Sequence, residues 1–308
     1  MKKSLTIITP TYNEEKNISA LIQAVKEQME NVEISYTHLI IDNASQDSTV
    51  EIVENELQHN KNVALIVNNR NFGHLRSPFY ALINCQTDGA IIIAADFEDP
   101  PSLLPEMLHQ WNAGVKLVCA VATNTSGSKT YQFLRNSYYN LLNKLAETPI
   151  IPRFSGFALY DQEVISHIRS MSSLDPYLRG IVSNLGYESV NISYTRPERE
   201  HGASKNNIRT LSDLALSGIL FHTKAPLRIF IGLGILGCIA TLFSSFFYVV
   251  HKIVNWDTEI GFELFILGLF FIGFVLVSAI GILSEYLRAI HRNTSGEPLV
   301  TEKFRKNY

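Results

Sequence analysis

Asp96, Glu98 and Asp99 stand within one turn, after an apolar run and directly before Pro100-Pro101. Carboxylates this close repel one another unless a cation or protons neutralise them. Hard divalent cations take oxygen ligands, and Mg²⁺ commonly combines one or two carboxylates with the phosphates of a substrate. The turn therefore suits a diphosphate held through a metal; a solvated acidic turn in which Asp99 caps the next helix would use the same residues. A second cluster is PTYNEE (10–15), where Pro10 fixes φ and Tyr12 offers a flat apolar face for stacking on a nucleobase. Glu14 and Glu15 then open a helix, where acids favour the positive end of the dipole; capping alone accounts for Glu15 equally well. In DNASQDS (42–48), Asp42 ends an apolar run and is expected to face a ligand NH or hydroxyl, while Asp47-Ser48 also reads as a helix N-cap.

These clusters need a frame that brings them to one edge. Leu5–Pro10, Thr37–Asp42, Val63–Val67, Ala90–Ala95 and Lys116–Ala122 are short runs rich in Ile, Val and Ala, expected as strands. Helical patterns lie between them over Glu14–Glu27, Ser48–Glu56 and Ser102–Trp111. Strands alternating with helices predict an α/β domain with a mainly parallel sheet covered on both faces. Ligands of such sheets sit at the carboxyl ends of the strands. PTYNEE, DNASQDS, NNRNFG and DFEDPP each follow one of the first four strands, so the polar clusters collect on that edge.

Composition divides the chain of 308 residues near residue 226. Its mean hydropathy of +0.07 averages a mixed segment with two long apolar runs, Leu227–Val250 and Phe262–Leu283. Each run is long enough to cross a bilayer as a helix, for which roughly 20 residues suffice. The short linker HKIVNWDTEIG predicts a transmembrane hairpin, with Tyr248 and Trp256 suited to the interface. Lys224, Arg228, Arg288, Arg292, Lys303, Arg305 and Lys306 flank the outer ends, whereas the linker holds Lys252 against Asp257 and Glu259. The positive-inside rule then puts both termini in the cytoplasm. A buried soluble hairpin is the competing reading. Ile208–Phe221, with Ile208, Leu211, Ala215 and Ile219 on one face, suits an interfacial helix; packing on the domain would give the same pattern. The expected organisation is a cytoplasmic domain over 1–205, a juxtamembrane helix over 206–225, the hairpin over 226–287 (helices near 227–250 and 262–283) and a cytoplasmic tail over 288–308. Lys and Arg number 26 against 29 Asp and Glu, a net charge of −3, which argues against a general nucleic-acid binder. Cys85, Cys119 and Cys238 lack metal-ligand spacing and are expected as reduced core thiols.

Taken in order, PTYNEE, D-N-x-S-x-D, NRNFG and ADFEDPP resemble the A-type, inverting family-2 glycosyltransferases. More narrowly, the chain resembles the polyisoprenyl-phosphate glycosyltransferases. RNSYYNLLNKL (135–145), SGFALYD (155–161), YLRG (177–180), REHGASK (199–205) and GILSEYL (281–287) carry the narrower match, which spans nearly the whole chain.

The resemblance implies transfer of a hexose from a nucleotide-sugar, with a lean to uridine, to undecaprenyl phosphate with inversion. It implies Mg²⁺ or Mn²⁺ as cofactor, a place in the inner membrane, and a homotetramer with packed hairpins. Pro10, Tyr12, Glu14 and Asp42 would line the nucleotide pocket, and Asp96 would bind the metal with the donor diphosphate. The family usually reads D-A-D-L-Q-D where this chain reads Ala94-Ala95-Asp96-Phe97-Glu98-Asp99. Glu98 is therefore expected to restore the charge lost at Ala94 and to ligate the metal beside Asp96. Asp99 falls at a position associated with the acceptor side. Arg135, Arg179, Arg199, Ser204 and Lys205 would form a pocket for the lipid phosphate, with Asp96, Asp99, Arg199 and Lys205 catalytic. His201 and Gly202 sit in a loop suited to closing over the nucleotide. After NRNFG the chain departs from the family with His74-Leu75-Arg76-Ser77-Pro78; contact of His74 or Arg76 with a phosphate and a surface role are both open. Transfer to a lipid-linked saccharide or a protein, and a membrane-anchored binding protein with a degenerate site, are the alternatives.

Overall fold

A computed structural model describes residues 3–123, 137, 144, 151, 154–171, 176–197, 225–254 and 262–308. The chain divides into two compact units. The first holds residues 1–143, 148–210 and 297–308; the second holds 144–147 and 211–296.

The first unit is built on an eight-stranded sheet: β1 (Ser4–Thr11), β2 (Ser35–Asp42), β3 (Val63–Asn68), β4 (Gly89–Ile92), β5 (Leu117–Ala122), β6 (Phe154–Asp161), β7 (Ser189–Tyr194) and β8 (Glu302–Lys306), in the order β7-β5-β6-β4-β1-β2-β3-β8. Strands β4, β1, β2 and β3 form the expected parallel core, with Thr11 opposite Asp42 and Asp42 opposite Val67. β5 and β7 are also parallel, but β6 runs antiparallel between β4 and β5, and β8 runs antiparallel to β3. The fold is thus α/β with a mixed, mostly parallel sheet.

Alternate residues of each strand feed opposite faces, which is why strands buried on both sides read as continuous apolar runs. On one face Ile8, Leu39, Ile41, Ala64 and Ile66 pack with α3 (Gly73–Asn84), α5 (Gln162–Ser170) and α6 (Leu178–Leu185). On the other, Leu5, Ile7, Ile91 and Val118 pack with α1 (Ile18–Met29) and α4 (Leu104–Asn112). Ile40 and Leu65 meet Ile18 and Ile22 of α1 and Val53 of α2 (Thr49–His59) on that same side. Gly89 marks one close approach: a Cβ there would sit 2.8 Å from Cζ2 of the buried Trp111, whose indole donates to Asp161 at 2.7 Å. Cys85 and Cys119 are buried thiols, as expected, with Cys119 pushed up to about 12 by burial.

Two boundaries differ from expectation. Helix α1 begins at Ile18, because the N–H groups of Asn17 and Ile18 both donate to the Glu14 carbonyl and close a separate turn first. Glu14 and Glu15 therefore precede the helix, and its first turn carries no acid. Strand β4 stops at Ile92; Ile93 still donates to the Ile8 carbonyl at 2.9 Å, but Ala94 and Ala95 turn away into the acidic segment. The stretch 288–308, expected as a tail, contains β8. Its Glu302 accepts from the Tyr80 hydroxyl at 2.8 Å, Asn69 donates through its backbone N–H to the Thr301 carbonyl, and Leu299 and Tyr308 pack on the core.

The second unit contains α7 (Ala225–Val254) and α8 (Phe262–Thr294), which lie against each other. Among the described residues one helix is long and apolar enough to cross a membrane, over Gly268–Arg288; α7 contributes a shorter apolar stretch, Arg228–Gly237. Large apolar side chains are exposed along both, among them Ile231, Leu236, Phe270 and Phe274. Contiguous apolar surface of this kind marks a lipid or protein interface. The expected juxtamembrane helix lies outside the described residues.

Candidate active site

The loops after β1, β2, β3 and β4 meet at the carboxyl edge of the sheet, where the sequence placed its polar clusters. Three non-glycine residues there take positive φ: Asn13 (55°), Ala44 (62°) and Phe97 (59°). Such conformations are sparsely populated and persist only where surrounding contacts over-determine them. At Asn13 those contacts are visible, since its N–H donates to Ser45 Oγ at 2.9 Å and its Oδ1 accepts from Gln46 N at 2.8 Å.

The β1 and β2 loops are knitted together by their acids. Glu14 and Glu15 donate through their N–H groups to Thr49 Oγ1 and Asp47 Oδ2, and the Glu15 carboxylate accepts from Ser48 N at 3.1 Å. The Glu14 carboxylate accepts from the Asn17 amide at 2.8 Å and remains half-buried. Asp47 accepts from Thr49 N at 3.0 Å and so serves the start of α2. Burial alone would raise its carboxyl, but hydrogen bonds from Thr49 and the Glu15 N–H outweigh that and hold it below the usual range.

Asp42, expected to face a ligand, is held by its own loop. It is 0% exposed, and its oxygens accept from Ser45 N at 2.8 Å, from Ser45 Oγ and from Thr11 Oγ1 at 3.3 Å. Burial pushes its carboxyl up against those bonds. Its carboxylate thereby braces the start of the β2 loop. Its neighbour Asn43, unremarked in the sequence, is the hub of the edge. It accepts from Asn68 Nδ2 and Phe72 N, donates to Asn71 Oδ1 and the Gly73 carbonyl, and donates its backbone N–H to the Thr11 carbonyl. One buried residue, through its side chain and its backbone N–H, thereby ties the ends of three strands to the start of α3. Pro10 and Tyr12 are half-buried beside this knot, and Pro10 lies opposite Ile41.

The acidic turn does not present three equivalent carboxylates. The positive φ of Phe97 reverses the chain, and Asp96 Oδ1 accepts from Glu98 N at 3.2 Å. Asp99 points inward, 5% exposed, accepting from Ala94 N at 3.2 Å and from the Tyr194 hydroxyl at 3.0 Å. Burial pushes its carboxyl up to about 6, against the nearby Arg196 and those hydrogen bonds. Glu98 forms an ion pair with Arg196 at 3.0 Å. Three like charges are thus accommodated by burying one and pairing another. Asp96 and Glu98, both half-buried, remain the oxygen donors on this turn. Among the described residues no group of three or more His, Cys, Asp or Glu is arranged to hold a metal. A pair of carboxylates completed by substrate phosphates is a sufficient donor set for a hard divalent cation, so these residues fit one.

Tyr194 and Arg196 were not singled out from the sequence. Their signal was the alternating strand pattern SVNISY running into the charged stretch TRPERE. Arg179, at the start of α6, is half-buried; with burial as the larger cause, it holds the His74 imidazole below the usual range. It also acts, with Asp99, on the buried Tyr160. The structure therefore brings Arg179 and His74 towards one place, while Arg76 is 7% exposed inside α3. Arg135, Arg199, His201, Gly202, Ser204 and Lys205 lie outside the described residues.

A family model described as glycosyl transferase family 2 matches residues 6–169. The chain is 29% identical to an "Uncharacterized glycosyltransferase YkcC" of Bacillus subtilis, over 96% of this chain and 91% of that protein. It is 27% identical to a "Bactoprenol glucosyl transferase" of Shigella phage SfX, over 98% of this chain and 99% of the relative. Among solved structures, glucosyl-3-phosphoglycerate synthase from Mycobacterium tuberculosis, in complex with Mn²⁺, UDP-glucose and phosphoglyceric acid, superposes with a TM-score of 0.51 at 16% identity, covering 71% of this chain and 78% of that one, a likeness of fold. The β-α frame, the four polar loops on its carboxyl edge and the extent of the family match carry one conclusion: this chain belongs to glycosyl transferase family 2.

Proposed function

We propose that this enzyme transfers a glucosyl group from a UDP-linked donor to a polyisoprenyl phosphate of the bactoprenol (undecaprenyl phosphate) type, with inversion, at the cytoplasmic face of the membrane. The observation that carries this is the end-to-end similarity to a bactoprenol glucosyl transferase, which covers the membrane segment as well as the sheet domain. The helix over Gly268–Arg288, long and apolar enough to cross a membrane, supports a lipid acceptor. The 30-residue length of α7 beside it, and the basic residues at the outer ends of both helices, support a two-helix hairpin with cytoplasmic termini. The exposed apolar faces of α7 and α8 suit lipid or neighbouring hairpins of a homotetramer.

Asp96 and Glu98 would hold Mg²⁺ or Mn²⁺ together with the donor diphosphate. The bound cation supplies neutralisation of the charge that grows on the leaving nucleotide diphosphate. The chain's own residues do the rest. Tyr12 and Pro10 line the base side of the edge, and the Asn43 hub fixes the loops that shape the pocket. Arg179, with Arg135, Arg199, Ser204 and Lys205, would form the cationic acceptor side; guanidinium groups suit a phosphate because they offer two parallel donors. The acceptor phosphate is ionised already, so its oxygen attacks the anomeric carbon in line with little need of a general base. Holding both substrates on one membrane-anchored domain raises their effective concentration.

The test is incubation of the detergent-purified full chain with undecaprenyl phosphate, Mg²⁺ or Mn²⁺ and a panel of nucleotide-sugars, read by mass spectrometry of the lipid. The lipid should gain one hexose from UDP-glucose, and the product should vanish with Asp96→Asn or with chelator. No product from any donor, alongside measurable UDP binding, would overturn the reading and point to another acceptor or to a site that binds without turnover.

A further inference from the structure

Arg196 stands two residues past β7 with its guanidinium on the acidic turn. Its Nη2 lies 3.0 Å from Glu98 Oε2, with the side chains only 28% and 17% exposed, so the pair is shielded compared with an ordinary surface ion pair. The strand end that leads into it is well held. The Tyr194 carbonyl accepts from Thr123 N at 2.8 Å and Thr123 Oγ1 at 3.0 Å, and the Tyr194 hydroxyl donates to Asp99 at 3.0 Å. These contacts anchor the end of β7 from which Arg196 extends. A carboxylate held by a guanidinium is a poorer ligand for a divalent cation, because the two positive groups compete for one charge and repel each other.

We propose that Arg196 is a positioning residue that gates the cation: it holds Glu98 in the donor-free protein, competes with the cation for that carboxylate, and passes to the donor diphosphate when the cation takes Glu98. This rests on the reading of Asp96 and Glu98 as the cation's protein ligands. The exchange conserves charge at each step, since the diphosphate that accompanies the cation supplies the anion to which the guanidinium moves, and its planar fork suits a phosphate as well as a carboxylate.

Mn²⁺ binding to the full chain in detergent, measured by electron paramagnetic resonance of the unbound ion with and without UDP, tests this apart from turnover. Arg196→Gln should bind Mn²⁺ roughly fivefold more tightly than wild type in the absence of UDP. The factor by which UDP tightens Mn²⁺ binding should shrink in the same variant. Arg196→Met, which keeps the aliphatic stem, should reproduce both effects and guards against misfolding of either variant, monitored by thermal melting. On a Glu98→Gln background the Arg196 substitutions should leave Mn²⁺ binding without UDP unchanged. Mn²⁺ binding no tighter in both Arg196 variants, or tightening that persists without Glu98, overturns the proposal. If Asp96→Asn still weakens Mn²⁺ binding in that case, the cation reading stands and the gate alone fails; if neither Asp96→Asn nor Glu98→Gln alters binding, both fail.

Discussion

His38 should make the sheet domain acid-sensitive in a way that one substitution removes. It sits in the middle of β2, 1% exposed, with Nε2 at 2.9 Å from Thr9 Oγ1. Its Nδ1 is buried without a hydrogen-bond partner. Burial lowers its pKa from 6.5 to about 3, so the folded protein keeps it neutral through mildly acid solution while the unfolded chain protonates it. The unfolded state then binds more protons below pH 6.5, and stability is lost as pH falls from 6.5 towards 3. Each pH unit in that window costs about 1.4 kcal/mol, so acidification by 1.5 units costs about 2 kcal/mol. With an unfolding entropy of roughly 2.1 cal/mol/K per residue over about 200 residues, that is a fall in Tm of about 5 °C. Asp99 works in the opposite sense. Its raised carboxyl contributes stability that is full below the unfolded value of 3.8 and lost as pH rises through about 6, so acidification restores it. The measurement is therefore the difference between wild type and His38→Gln, which keeps a partner for Thr9, in thermal melts followed by tryptophan fluorescence between pH 7.5 and about 5. The two Tm values should diverge on acidification, with wild type falling further by about 5 °C. Parallel curves would refute the reasoning, because they would mean that His38 is protonated or solvated in the folded protein.

Other perturbations have outcomes of similar definition. Gly89→Ala drives a methyl to 2.8 Å from the Trp111 ring and should cost about 1–3 kcal/mol, seen as a lowered Tm and partly relieved by Trp111→Phe; an unchanged Tm would count against the close packing of α4 on β4. Ending the chain at Gly296 removes β8 and bares the edge of β3, so the shortened protein should melt lower and aggregate more, by size-exclusion chromatography, than the full chain. Tyr80→Phe deletes the hydrogen bond to Glu302 alone and should cost about 1 kcal/mol; no loss would make the strand pairing, rather than this contact, the anchor of the segment.

Local patterning determined a large part of this protein. The apolar runs Leu5–Pro10, Thr37–Asp42 and Val63–Val67 became β1, β2 and β3 within two residues, because strands buried on both faces must be apolar throughout. The same alternation of strands and helices required the polar loops to gather at the carboxyl edge, and they do. The motif series ordered along those loops pointed to the family that the comparisons support. Other features depended on contacts distant in sequence. β8 lies 234 positions after Asn68 yet pairs with it, and no local pattern in a charged C-terminal stretch announces such a partner.

The acidic turn shows the division most clearly. Sequence alone determined that Asp96, Glu98 and Asp99 share one turn and that their charges need an answer. Tertiary structure decided that each is answered differently: Asp99 by burial against Tyr194 and the Ala94 N–H, Glu98 by Arg196, and Asp96 by the backbone of its own turn. Tyr194 ends β7 and Arg196 follows two residues later, about a hundred residues downstream of the turn, so these two partners were invisible to any reading of the turn itself. In the same way the sequence marked Asp42 as the end of a buried strand, but only the packing of Thr11 and Ser45 around it turned its carboxylate inward. Periodicity and turn chemistry act over a few residues and can be read along the chain; solvation and charge pairing depend on which surfaces meet in three dimensions.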